Sequence, residues 1–235
     1  MNSTNDKRAM FTATIKMSEL VDMNPKLLGV LPRIGVGFGF GEDTVEEACR
    51  RNNVSIGTFL LICNVYSVDD YIPDESDLCK ADLKAVVDYL HCSHSYYTDV
   101  AINDIAGKIE KAIEPCEDKS HKIIWQFFSE YKEELLKHFQ YEEEKVFPYV
   151  NAILAHEKRD YTILQYEESH SNVEEKLGDL KNIIMKYLPR SCDSTAISAL
   201  LMNLYALKED LNKHTIIEDG VLVPIVNRLE HYARQ

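Results

Sequence analysis

Apolar residues along most of this chain recur every three or four positions, the spacing of one face of an α-helix, while the period-two alternation of strands is nearly absent. From residue 78 onward the pattern predicts four long helices, over about 80–114, 118–154, 158–188 and 194–230. Pro115, Cys116 and Glu117 break the first two apart, residues 155–158 form a short polar joint, and 189–194 separate the last two, with Asp193 or Ser194 as the N-cap. Four helices on short joints favour an antiparallel up-down bundle. Upstream, NPKLLGVLPRI reads as a short helix with a proline in its first turn, and GVGFGFG (35–41) holds four of the nine glycines. That segment reads equally as a hinge, a docking turn or a place where two backbones come close. Thr44 stands three residues before Glu47, a capping-box spacing, and Ser55 can cap IGTFLLICNVYS. The polar, acidic stretch VDDYIPDESD reads as a linker. The expected organisation is an all-α chain: a small helical N-terminal domain (1–67), a linker (68–77) and a four-helix bundle (78–235).

Within the bundle a pattern occurs twice. HFQYEEEKVFPYV (138–150) and HTIIEDGVLVPIV (214–226) align His138 with His214, Glu142 with Glu218, Pro148 with Pro224 and Val150 with Val226, all at one constant offset. The same offset pairs Ser-His-Ser at 93–95 with Ser-His-Ser at 169–171, so His94 and His170 are also twins. In antiparallel hairpins, counting from the turns at the ordinary helical rise brings all six side chains within one or two turns of a common level. A His and a Glu four apart share a helix face, and the apolar neighbours Leu135, Phe139, Leu211 and Ile217 turn that face inward.

A single His-x-x-x-Glu is commonly only a surface contact. Two of them, beside two further histidines at one offset and one height, ask for more, because an ionised glutamate facing a core is costly without a compensating positive charge. Imidazole with carboxylate suits iron, manganese or zinc better than calcium or magnesium. Two carboxylates can bridge two metals while four imidazoles end-cap them, which predicts a dinuclear centre on His94, His138, Glu142, His170, His214 and Glu218. His91, Tyr97, Tyr141 and Tyr166 stand close enough in sequence to support the ligands. His121, His156 and His231 fall near helix ends and read as solvated.

Composition narrows the partners. A net charge of −13 and an isoelectric point near 5.1 argue against nucleic-acid and anionic-membrane surfaces. No apolar run is long enough to span a bilayer, and MNSTNDKRAM lacks the apolar core of a signal peptide. Cys49, Cys63, Cys79, Cys92, Cys116 and Cys192 form no C-x-x-C pair and read as reduced thiols of a cytoplasmic protein.

The bundle segment resembles the hemerythrin-like cation-binding domain: KHFQYEEEKVFPYV and DLNKHTIIEDGVLVPIV look like its H-x-x-x-E-E-x-x-L-F-P signatures. With PKLLGVLPRIGVGFGFGEDTVEEAC in front, nearly the whole chain resembles the iron–sulfur cluster repair di-iron proteins. That resemblance implies two iron ions on the six residues named above, and repair of clusters damaged by oxidative or nitrosative stress through iron donation or nitric-oxide and peroxide chemistry. The implied partners are damaged iron–sulfur proteins or the diatomic ligands oxygen and nitric oxide. Separately, an exposed LLGVLPRI helix would offer a face for a homodimer, a question the sequence leaves open. Two departures stand out. Gly39 and Phe40 occupy the place of a Cys-Cys pair, and Ser169 precedes His170 where the family often has glutamate. Cys49 matches a family cysteine, though a small buried hydrophobe is the simpler reading. The lost thiol pair gives weight to an alternative, a hemerythrin-like oxygen or nitric-oxide binding or sensing module without turnover. A metal-free helical scaffold is the third expectation.

Overall fold

The computed structural model describes residues 11–69, 71–114, 118–157, 160–169, 173–189 and 192–233. Among these residues the backbone is helical with no strand; one isolated extended bridge joins Lys16 and Thr44. The helices are α1 (Met17–Met23), α2 (Leu27–Arg33), α3 (Val45–Asn52), α4 (Ile56–Ser67), α5 (Glu75–Lys80), α6 (Leu83–Tyr96), α7 (Ile102–Ile113), α8 (Asp118–Tyr141), α9 (Phe147–Leu154), α10 (Ile163–Ser169), α11 (Val173–Tyr187), α12 (Ser194–Ile217) and α13 (Val223–Ala233). Wider π-turns join three pairs: Tyr97–Ala101 between α6 and α7, Glu142–Val146 between α8 and α9, and Glu218–Leu222 between α12 and α13. No helix among the described residues is long and apolar enough to cross a membrane.

Two compact units are drawn from the chain, one from Met1–Ser93, Val150–Leu164 and Ile216–Gln235, the other from His94–Tyr149 and Gln165–Thr215. In the second unit four helical segments share one core. Ile105 and Ile109 of α7, Phe128 and Leu135 of α8, Leu177 and Leu180 of α11, and Leu204 and Leu211 of α12 are all buried in it. These residues recur three, four or seven apart, which is why four amphipathic helices converge on a common axis. The bundle predicted from periodicity is thus present, and the beginnings of α8 and α12 fall on the predicted residues 118 and 194.

Caps punctuate the helices where the sequence places them. Thr44 and Glu47 form a reciprocal capping box on α3, Ser55 accepts from the Thr58 amide at the start of α4, and Asp193 accepts from the amides of Thr195 and Ala196. The stretch read as a linker is partly helical: Asp74 and Asp77 make a second capping box, and α5 begins at Glu75. In α2 Leu27, Val30 and Leu31 are buried, and Leu28 faces outward. Pro25, the proline read into the first turn, stands just before the N-cap Lys26, and Pro32 lies near the end of that helix.

A close approach sets one requirement of the first unit. A Cβ built on Gly57 in α4 would sit 2.1 Å from the Lys80 carbonyl oxygen, which belongs to backbone and cannot swing aside. Gly57→Ala is therefore expected to destabilise the protein by about 1–3 kcal/mol, as overpacked sites do. The shift in the denaturant midpoint at unchanged slope measures this.

Cys49, Cys63, Cys79 and Cys92 are free thiols, but Cys192 is disulfide-bonded, so the expectation of six reduced cysteines fails there. Local spacing screens only for neighbouring pairs, whereas a disulfide needs proximity in space, not in sequence.

Candidate metal centre

The centre begins with the proline of each repeated segment. Pro148 has no amide hydrogen, and in a continuous α-helix its ring would press on the carbonyl of Glu144. The turn widens instead: the Phe147 amide donates to the Glu142 carbonyl, five residues back, and the Val223 amide ahead of Pro224 donates likewise to Glu218. Both π-turns therefore open on the glutamate of a His-x-x-x-Glu pair, at matching positions of the repeat. Widened turns of this kind are frequent at functional sites. The third π-turn, just after His94, has no proline; there Thr98 Oγ1 donates to the His94 carbonyl and Asn103 Nδ2 to that of Asp99.

These turns bring four of the six predicted residues together. His94, Glu142, His214 and Glu218 are buried, and each offers an imidazole nitrogen or carboxylate oxygen within 4.8 Å of the others. His94 Nε2 stands 3.2 Å from His214 Nε2 and 3.1 Å from Glu142 Oε2. The fifth, His138, faces the other oxygen of the same carboxylate, with Nε2 at 3.3 Å from Glu142 Oε1. One carboxylate thus turns its two oxygens toward two different histidines. His170 lies outside the described residues.

Supporting contacts hold the imidazoles. His94 Nδ1 donates to Glu143 Oε1 at 2.7 Å, which fixes the proton on Nδ1 and turns the Nε2 lone pair toward the cluster. Its ring is stacked on Phe139 (4.2 Å, 20°) and Phe147 (5.3 Å, 13°). Tyr97 meets the His214 ring edge-on at 5.5 Å, and the buried Tyr166 hydroxyl donates to Glu142 Oε1 at 2.6 Å. Of the three tyrosines singled out by spacing, Tyr97 and Tyr166 reach the site, while Tyr141 is exposed. Exposed too is His91. His121 donates to the Ile113 carbonyl at the end of α7, and His156 and His231 are exposed. Glu143 was not singled out in sequence; the acidic residue that follows the ligand glutamate in both copies, Glu143 and Asp219, is the signal that could have found it.

Buried imidazole and carboxylate donors converging at this range fit a divalent transition metal. With Nδ1–H of His94 committed to Glu143, the short contact between the two Nε2 atoms makes His214 Nε2–H the donor. To hold a cation there the His214 proton must move from Nε2 to Nδ1, which leaves the ring neutral.

The family described as the hemerythrin HHE cation binding domain matches residues 100–226, more than half of the chain. The chain belongs to the hemerythrin HHE cation-binding family. No curated protein matches it. The hemerythrin HHE span holds His138, Glu142, His214 and Glu218 within its limits, and His94 lies just before it. His94 therefore joins this hemerythrin-like site on geometry alone.

Cys49, the cysteine singled out by the N-terminal resemblance, lies before the matched span. Cys49 is buried, and burial pushes its thiol up to about 12; the Cys63 thiol is raised well above the ordinary value by burial and by Cys49 beside it. Neither is a thiolate at neutral pH, which leaves them unreactive. Brief iodoacetamide treatment of the native protein is expected to label the exposed Cys79 and Cys92 and spare Cys49 and Cys63, as read by peptide mass spectrometry.

Proposed function

We propose that this protein is a cytoplasmic non-haem di-iron protein that serves the repair of iron–sulfur clusters damaged by oxidative or nitrosative stress. The observation that carries the reading is the Glu142 carboxylate, fully buried, with Oε2 toward His94 and Oε1 toward His138. One such carboxylate serves two cation positions, and carboxylate-bridged pairs in helical bundles are an established design. His94, His138, His214, Glu142 and Glu218 are the described residues that would hold the ions, with His170 proposed as the sixth. Iron held by such donors supplies redox chemistry and open coordination positions for small ligands. Around it Phe139, Phe147 and Leu135, all buried, exclude water. In this reading ferrous iron is also cargo, handed to an apo-cluster acceptor. The resemblance of the N-terminal segment supports repair in particular.

A second reading, oxygen or nitric-oxide binding or sensing without turnover, is favoured by Gly39 and Phe40 in place of a thiol pair. The test is metal content after purification without added metal, followed by mixing with an apo iron–sulfur protein. About two irons per chain, and cluster formation in the acceptor, are expected. Iron that stays bound while a diatomic ligand still binds would move the protein to the second reading; zinc alone, or no metal, would overturn both.

A further inference from the structure

We propose that the two cation positions are unequal and fill in order, with Glu143 securing the first and Tyr166 restraining the second. This rests on the dinuclear reading above. On the His94 side the donors are already assembled. Glu143 holds Nδ1 at 2.7 Å and two phenylalanine rings lie against the imidazole at interplanar angles of 20° and 13°, so Nε2 is aimed before any cation arrives. His94, His214, Glu142 and Glu218 then offer four ligand atoms within 4.8 Å. A pre-organised donor set loses little freedom on binding.

The His138 side differs. Glu142 Oε1, the oxygen facing His138, also accepts from the Tyr166 hydroxyl at 2.6 Å. A carboxylate oxygen has two lone-pair sites; the phenol occupies one and draws electron density from the other. Oε1 is therefore a poorer donor than Oε2. His138 meets Phe139 at 49° rather than face to face.

The asymmetry is written into the repeat. Phe139, Glu143 and Phe147, all in the first copy, make the whole clamp. In the second copy the corresponding positions are Thr215, Asp219 and Val223. No aromatic face is repeated, and the carboxylate is one methylene shorter. The ligand pairs were duplicated with their chemistry intact; the clamp was not.

The experiment is calorimetric titration of the metal-free full chain with zinc, which carries no redox complication, beside nitrogen NMR of the metal-free protein. Expected are two binding steps at least roughly tenfold apart, within the range that outer contacts control. Glu143→Ala should weaken the first step by about 10–100-fold and shift the metal-free His94 ring away from its Nδ1–H tautomer. Tyr166→Phe should tighten the second step about tenfold and leave the first alone. Two equal steps in the unaltered protein, or a Tyr166→Phe chain weakened equally in both, would overturn the proposal. A single zinc per chain would instead overturn the dinuclear reading beneath it.

Discussion

Glu142→Gln is expected to strip the protein of both cations, not one. The carboxylate is buried and its two oxygens face different histidines, at 3.1 and 3.3 Å. An amide keeps the shape and can still accept from Tyr166, but it replaces one oxygen by an NH2 group and removes the charge. Loss of an outer contact costs about 10–100-fold in metal affinity, so loss of a shared ligand should cost at least roughly 100-fold at each position. Metal analysis after exhaustive dialysis reads this directly. His121→Ala is the control: that imidazole is spent on the Ile113 carbonyl, and its removal should leave occupancy unchanged. Full occupancy in the Glu142→Gln protein would take Glu142 off the ligand set.

Metal removal is expected to lower thermal stability sharply. Glu142 and Glu218 are both fully buried, and their ligand oxygens lie within 4.8 Å. Two carboxylate charges at that range repel by roughly 3 kcal/mol at an effective dielectric of about 20, a cost that a bound cation reverses. A ligand at about 100 times its dissociation constant stabilises the folded state by about 2.7 kcal/mol per site. For a chain of this size each kcal/mol moves the melting temperature by about 2–4 °C. One filled site should therefore add about 5–10 °C. Equal melting curves with chelator and with added zinc or ferrous iron would show that these carboxylates are not metal ligands.

The helices were legible because each runs for many turns with an unbroken apolar face, as at Phe128, Leu135 and Phe139 in α8. The site was legible for a different reason. Its His and Glu are each ambiguous alone, and only the offset they share between the two copies binds them into one pattern. What escaped depends on contacts between helices. Glu143 looks like a surface residue until His94, 49 positions earlier, is placed against it. Tyr166 was one of three equivalent tyrosines until its hydroxyl met Glu142. The π-turns were signalled by Pro148 and Pro224 inside otherwise helical runs, but an i, i+4 pattern does not reveal an i, i+5 bond. The disulfide of Cys192 left no local trace at all.

The π-turns at Glu142 and Glu218 have a consequence for moving this site elsewhere. Each one inserts an extra residue into its helix and resets the angular phase by about 100°. Upstream, His138 and Phe139 address the core in one phase; downstream, Val146, Phe147 and Val150 are buried in another. A regular helix given only the His-x-x-x-Glu pair would keep the ligands and swing the following apolar stripe toward water. The transplantable module is thus the whole stretch from the histidine through the proline, because the proline carries the phase correction that lets ligands and core share one helix.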